Sequence, residues 1–233
     1  MTLHLNELGQ PIGAPLDHWQ ACTRPAGETL YGQYCRLETI DLKRHSADLW
    51  QAFNADKQQR IWTYLSYGPF ASQAQFKQWV TITCCGQDPL FYVVIDLAKG
   101  KALGLASYLR IQPEIGLIEV GHINFSPDLQ QTTAATEAMY LMMKQAFELG
   151  YRRYEWKCDN ANLGSKRAAQ RLGFSHDGLF EQATMYKGRN RDTAWFSVLD
   201  HQWQEKQLAF LNWLSVDNFD AEGKQRKPLQ ALG

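Results

Sequence analysis

Several things are scarce or missing in this chain, and each absence narrows what it can be. There is no excess of one charge: 24 basic residues stand against 24 acidic ones among 233, a formal net charge of zero. No overall field therefore draws the protein to nucleic acid or to an anionic membrane surface, although a local basic patch stays open. No apolar run approaches the roughly 20 residues of a membrane span. The opening stretch MTLHLNELGQPIGAPLDHW has neither the charged start nor the continuous apolar core of a secretory signal, so the expectation is a soluble, cytoplasmic protein without a membrane partner. Cysteines number five, at 22, 35, 84, 85 and 158. The odd count and the lack of C-x-x-C or similar spacing argue for reduced thiols over a disulfide framework or a zinc site, and no metal is expected. The adjacent pair Cys84 and Cys85 reads as two helix-end thiols. Internal repeats and low-complexity tracts are absent as well.

What is present is an ordinary globular composition, 45% apolar, in a chain long enough to bury a real core as one large domain or two small ones. Residues 1–33 contain PIGAP and RPAGE with little periodicity, the signature of an irregular arm lying across the surface; Trp19, Leu30 and Tyr31 call for burial and argue against disorder. From 41 to 85 the period is helical, in DLKRHSADLWQAFNAD and ASQAQFKQWVTITCC, with Phe76, Trp79 and Val80 at three-and-four spacing. The period then changes. PLFYVVIDL, LGLASYLRI and GLIEVGHINF, separated by turns at AKGKA and QPE, predict a three-strand antiparallel meander. A helix over 133–149 follows, ended by Gly150 as a C-cap. After it come a strand at 151–158, a helix in NLGSKRAAQRLGF, and paired strands LFEQATMY and TAWFSVLD joined by the polar loop KGRNRD. This order predicts an α+β (mixed α/β) architecture on one sheet of six or seven strands flanked by helices. Residues 1–33 are assigned to the arm and 34–203 to the domain. Residues 204–233 are assigned to an amphipathic helix with Leu208, Leu211 and Leu214, then a polar tail over 217–233 expected to fray.

The stretch SPDLQQTTAATEAM, 126–139, opens the long helix with three threonines and two glutamines where better helix formers would cost less. A helix leaving a strand end directs unpaired N–H groups and a positive dipole end outward, which suits a pyrophosphate without any charged side chain. Thr132, Thr133, Ala134, Ala135 and Thr136 are small enough to let such a ligand approach, and Gln130 and Gln131 place amide donors at the rim. The plainer reading is a helix cap, Thr132 or Thr133, with Glu137 completing a capping box.

The strand GLIEVGHINFSP, the loop and helix LQQTTAATEAM, the strand YRRYEWKCD and the helix NANLGSKRAAQRLGF occur in one order over about residues 34–203. In that order the chain resembles the Gcn5-related N-acetyltransferase (GNAT) superfamily, in particular the branch that includes the ribosomal-protein N-terminal acetyltransferases. The family's pyrophosphate loop usually reads Q/R-x-x-G-x-G/A; here Gln130, Thr133 and Ala135 occupy those places. Thr133 thus replaces a glycine, and because a β-branched residue resists positive φ the loop must use ordinary helical angles there or bind coenzyme A less tightly. The resemblance implies a mostly antiparallel sheet whose middle strands splay apart, acetyl-coenzyme A as cosubstrate, and an amine acceptor. It places the pantetheine arm as an added strand near Asn124 and Phe125, Asn162 on the same arm, and Ser165 near the thioester sulfur.

For direct acetyl transfer the candidate bases are Glu119 and His122, ionisable groups within an otherwise apolar strand. Three positions apart, they point to opposite faces of a regular strand; only a bulge between them turns both toward one cleft. Otherwise Glu119 pairs with an arginine and His122 is bonded in the core. Ser165 is a candidate proton relay to the thiolate or a first-turn cap, and Cys158 is read as packing. Arg167, with Lys166, is a candidate phosphate contact or a solvated helix face. Trp156 is a candidate acceptor-pocket wall or a core residue, and the aromatic loop IWTYLSYGPF, 61–70, a candidate pocket wall or a packed lid. The cluster Lys187, Arg189 and Arg191 is read first as a hairpin tip kept soluble by charge and second as a candidate contact for an acidic acceptor or RNA, the neutral total counting against nucleic acid as a partner. The resulting expectation is an acetyl-coenzyme A dependent N-acetyltransferase. The alternative is a non-catalytic acyl-coenzyme A binding or sensor module of the same fold. A homodimer through the last strands or the terminal helix is a further expectation.

Overall fold

The computed structural model describes residues 3–232. An N-terminal arm carries the short paired strands β1 (His4–Leu5) and β2 (Pro11–Ile12). The arm is therefore less irregular than its composition predicts. It is pinned where Trp19 sits under Gly116 and Arg152 and donates its indole N–H to the Glu114 carbonyl at 2.8 Å.

The domain begins with β3 (Leu30–Tyr31) and β4 (Cys35–Thr39), followed by α1 (Leu42–Asn54) and α2 (Gln73–Trp79), which runs on into one π-turn at Val80–Cys84. The meander is as predicted: β5 (Leu90–Asp96), β6 (Lys101–Gln112) and β7 (Leu117–Phe125) pair antiparallel in turn. Then come α3 (Thr133–Glu148), β8 (Arg153–Asp159), α4 (Leu163–Arg171), β9 (Ser175–Tyr186), β10 (Arg189–Leu199) and α5 (Asp200–Leu214). The main sheet has eight strands in the order β3-β4-β5-β6-β7-β8-β10-β9, all antiparallel except β7 with β8. This is the expected mixed α/β class, with the sheet extended beyond six or seven strands. Five residues, CRLET, make β4, too few to show a period, and two more make β3.

Helices cover both faces of the sheet, so β5 is buried at every position. Its alternate residues enter different cores: Tyr92 and Val94 pack toward α3, whereas Phe91, Val93 and Ile95 pack with Phe53, Trp62 and Phe76 of the α1–α2 layer. Helix α3 is buried along most of its length and carries Ala135, Ala138, Met139, Met142 and Ala146 into the first core. Gly150, at φ +94°, ends it as the sequence predicts.

Two expectations fail here. Glu137 completes no capping box; its carboxylate lies across from the β3–β4 turn and accepts the N–H groups of Gln33, Tyr34 and Cys35 at 2.7, 2.6 and 2.8 Å. The polar tail does not fray. The buried Asn218 amide donates to the carbonyls of Trp213 and Lys227 at 3.1 and 3.2 Å and accepts the Lys227 N–H at 2.9 Å, and Leu229 is buried beyond it. One side-chain amide thus supplies the local pairing that an apolar pattern would otherwise have announced.

Candidate active site

The site lies where β7 and β8 part. Their parallel pairing holds from Leu117 to Val120 against Arg153 to Trp156 and then stops. Past that point β7 bulges against β6: Ser107 opposes Gly121, yet Leu105 opposes Asn124, so β7 spends three steps where β6 spends two. His122 absorbs the extra residue at φ +50°. The bulge turns both Glu119 and His122 toward one cleft of about 1260 Å³, the condition the sequence had set for the two to meet.

Glu119 is buried, with Arg110 Nη1 at 3.1 Å and Lys157 Nζ at 2.8 Å, both on Oε2. Oε1 has no hydrogen-bond partner among the described residues. Burial is the largest influence on this carboxyl, and with the nearby Glu155 it outweighs Arg110 and Arg191, pushing the group up to about 8. His122 lies flat against Tyr67, ring centroids 5.7 Å apart, with Nδ1 at 3.1 Å from the Tyr67 hydroxyl. Burial lowers its pKa.

Asn124 is 2% exposed and lines the cleft, and neither its amide nitrogen nor its oxygen has a partner among the described residues. Two unmet hydrogen-bonding atoms in a strand parting are costly unless something else supplies the bonds. Beyond it β7 ends at Phe125, whose carbonyl accepts the Gln130 amide at 2.8 Å. Gln131 takes the left-handed conformation at φ +61°, and α3 starts at Thr133 with ordinary helical angles. The glycine-like position therefore falls two residues before Thr133. Thr132 caps the helix, its Oγ1 accepting the Ala135 N–H at 3.1 Å. Gln130, Gln131, Thr133, Ala135 and Thr136 line the cleft. Thr132 is spent on the cap, and Ala134 packs into the core instead. The N–H groups of Thr133 and Ala134 have no earlier helical carbonyl to bond.

Across the parting, Asn162 caps α4 by accepting the Ser165 N–H at 3.1 Å, and Ser165 Oγ accepts the Trp156 indole N–H at 3.0 Å. Ser165 thus has a fixed oxygen and a proton left to give. Trp156 is buried and positions Ser165. Cys158 is buried beside it, burial pushing its thiol up, as expected of a packing residue. Lys166 bonds the Asn160 amide oxygen at 2.7 Å, whereas Arg167 lines the cleft. So does Arg171, one turn on, a residue that sequence reasoning missed although its four-residue spacing from Arg167 marks one helix face.

The KGRNRD cluster has a structural use. Lys187 Nζ and Arg189 Nη2 bond the carbonyls of Trp62 and Thr63, each at 2.7 Å, and the Tyr64 hydroxyl bonds the Ala161 carbonyl at 3.2 Å. Residues 60–67 are thereby held as a roof over the Glu119 end, with Tyr64 and Tyr67 lining it.

The strand parting thus leads to a helix N-terminus, with ionisable groups of the bulged strand facing the same cleft. The family model described as acetyltransferase (GNAT) domain matches residues 36–175. The chain is 43% identical to a GCN5-related N-acetyltransferase of Brucella melitensis of known crystal structure, with a TM-score of 0.91 over 93% of this chain and 99% of that one. It is 24% identical over 181 residues to the uncharacterized N-acetyltransferase p20 of Bacillus licheniformis, covering 76% of this chain and 98% of p20. Its fold is also that of a Salmonella typhimurium acetyl transferase that modifies the N-terminal serine of ribosomal protein L7/L12, at 18% identity and a TM-score of 0.61, over 74% and 99% of the two chains. The chain belongs to the GNAT acetyltransferase family and is an acyltransferase.

Proposed function

We propose that the protein transfers an acetyl group from acetyl-coenzyme A directly to a primary amine, either a peptide N-terminus or a small amine. The observation that carries this reading is Asn124, a buried amide without partners in the strand parting. An extended, amide-bearing pantetheine would satisfy it by adding to the free edge of β7. Asn162 borders the same arm, and the diphosphate would meet the N–H groups at the start of α3, with Gln130, Gln131, Thr133, Ala135 and Thr136 around it.

In this assignment Glu119 Oε1 takes the proton of the acceptor ammonium, directly or through one water. Lys157 and Arg110 hold the opposite oxygen and fix the carboxylate's direction. A backbone N–H of the bulged strand serves the developing oxyanion, worth about 3 kcal/mol for a preorganised donor in a dry cleft. Ser165 donates its hydroxyl proton to the departing thiolate while the Trp156 N–H holds its oxygen. The tetrahedral intermediate collapses with C–S cleavage, and the second proton of the acceptor nitrogen passes to Ser165, directly or through water, restoring its hydroxyl; no acyl-enzyme is required. The roof of residues 60–67 admits the amine end of an acceptor and keeps water from the thioester.

The test is thermal stability and turnover with purified protein. Acetyl-coenzyme A should raise Tm in a concentration-dependent way, and a panel of peptides and small amines should include acceptors that release free thiol. No stabilisation at millimolar acetyl-coenzyme A would overturn the reading. Stabilisation with no thiol release across the panel would favour the binding module.

A further inference from the structure

The cleft does not end at α3. It runs on past Thr136 and Met139 to a wall formed by Trp213 of α5 and by Phe219 and the turn Gly223–Gln225, the last two in the C-terminal segment expected to fray. That segment is fixed from three sides. The Trp213 indole N–H bonds Gln225 Oε1 at 2.8 Å, Phe219 and Gln225 form an antiparallel bridge, and Phe219 packs edge-on to Trp213 with centroids 5.3 Å apart. The turn between them is therefore presented at a set position.

Charge is distributed unevenly along the cleft. At the β7–β8 end Arg191 bonds the Thr193 hydroxyl at 3.1 Å, and the cations Arg110 and Lys157 are matched by Glu119 and Glu155. At the far end they are not. Arg171 is half-buried, with Cζ 4.9 Å over the Trp213 ring and Nη1 at 3.1 Å from the Thr136 hydroxyl, and burial lowers its pKa. Neither it nor Arg167 nor Lys224 has a carboxylate within 4.0 Å among the described residues. Asp220, on the same turn as Lys224, is occupied in shaping it: Oδ1 accepts the N–H groups of Glu222 and Lys224 at 3.2 and 2.7 Å. A guanidinium removed from water without an anion is unfavourable in the folded protein alone, and three cations lining one end of a cleft make a site for a group of more than one negative charge.

We propose that Lys224, carried by the C-terminal segment, and Arg167 and Arg171 of α4 form a subsite for a phosphate monoester, that on the ribose of the coenzyme. Such a group carries between one and two negative charges near neutrality, beyond those of the diphosphate. The inference rests on the coenzyme reading of the cleft and adds to it a discrimination: the protein distinguishes coenzyme A from its 3′-dephospho form.

Calorimetric titration of both ligands into the intact protein tests it. The wild type should bind coenzyme A about tenfold or more tightly than dephospho-coenzyme A, the size of one charge-assisted hydrogen bond. Lys224→Gln should bring that ratio close to one by weakening coenzyme A alone, and Lys101→Gln, the same charge change on an exposed strand end, should leave it intact. A wild-type ratio near one, an unchanged ratio in Lys224→Gln, or equal weakening of both ligands would each overturn the subsite while leaving the coenzyme reading standing. Binding of neither ligand at millimolar concentration would remove both.

Discussion

At the scale of single residues, the proposed chemistry turns on Glu119. Its carboxyl is raised to about 8 by burial from an ordinary 4.5, and a base must be deprotonated to act, so kcat/KM should rise with pH through about 8. Glu119→Gln should lower kcat/KM by about 10² to 10⁴ and flatten that limb. An unchanged profile would shift the role to His122, which is neutral near pH 7 because burial lowers its pKa. The same shift bears on stability. A carboxyl raised on folding contributes fully below 4.5, and its contribution is lost as pH climbs to about 8, so the decline in stability over that window should be shallower in Glu119→Gln. Glu137 has a purely structural task, receiving three backbone N–H groups. Glu137→Gln offers one oxygen and a competing donor in place of a carboxylate, and should cost about 3 kcal/mol in urea unfolding. In the sequence Glu119 stood as an ionisable group in an apolar strand and Glu137 as the partner of a helix cap. Their different uses were not legible there, because the partners of Glu137 lie about a hundred residues away.

At the scale of elements, the start of α3 carries its strain at Gln131, φ +61°. Gln131→Gly should stabilise the fold by about 1 kcal/mol, and Gln131→Val should destabilise it, since a β-branched side chain resists that conformation; urea melts of the two variants check the sign. The β9–β10 turn is tied to the roof through Lys187 and Arg189. With both bonds removed in Lys187→Met/Arg189→Ala, the KM for the amine should rise several-fold while acetyl-coenzyme A affinity stays unchanged. Equal loss of both would show that the latch supports the whole domain instead. The meander, α3 and its Gly150 cap were legible because each is long enough to show its period. β4 was missed because CRLET is short, and the bulge at His122 stood in the sequence only as a condition, the one way to bring Glu119 and His122 to one cleft.

At the scale of the whole molecule, the C-terminal segment joins the far wall of the cleft to the core. Leu229 is 4% exposed and packs with the cluster that includes Phe210 and Trp213, so Leu229→Ala should cost about 2 to 4 kcal/mol. Because this packing also holds the Lys224 turn, the loss should be accompanied by weaker coenzyme A binding, readable by calorimetry below the melting range. Unchanged stability would show that the segment rests on the domain without supporting it.

By itself the sequence determined the local periods, the order of elements and where the long helix starts, since these depend on neighbours within a few residues. It also carried the family resemblance, through motifs contiguous along the chain. Only the tertiary structure decided that Asn124 is left without partners, that Arg167, Arg171 and Lys224 share one end of a cleft, and that a polar tail is part of the wall. Those facts are relations between distant segments, in which burial and the presence or absence of a countercharge depend on where the sheet parts and what packs against it.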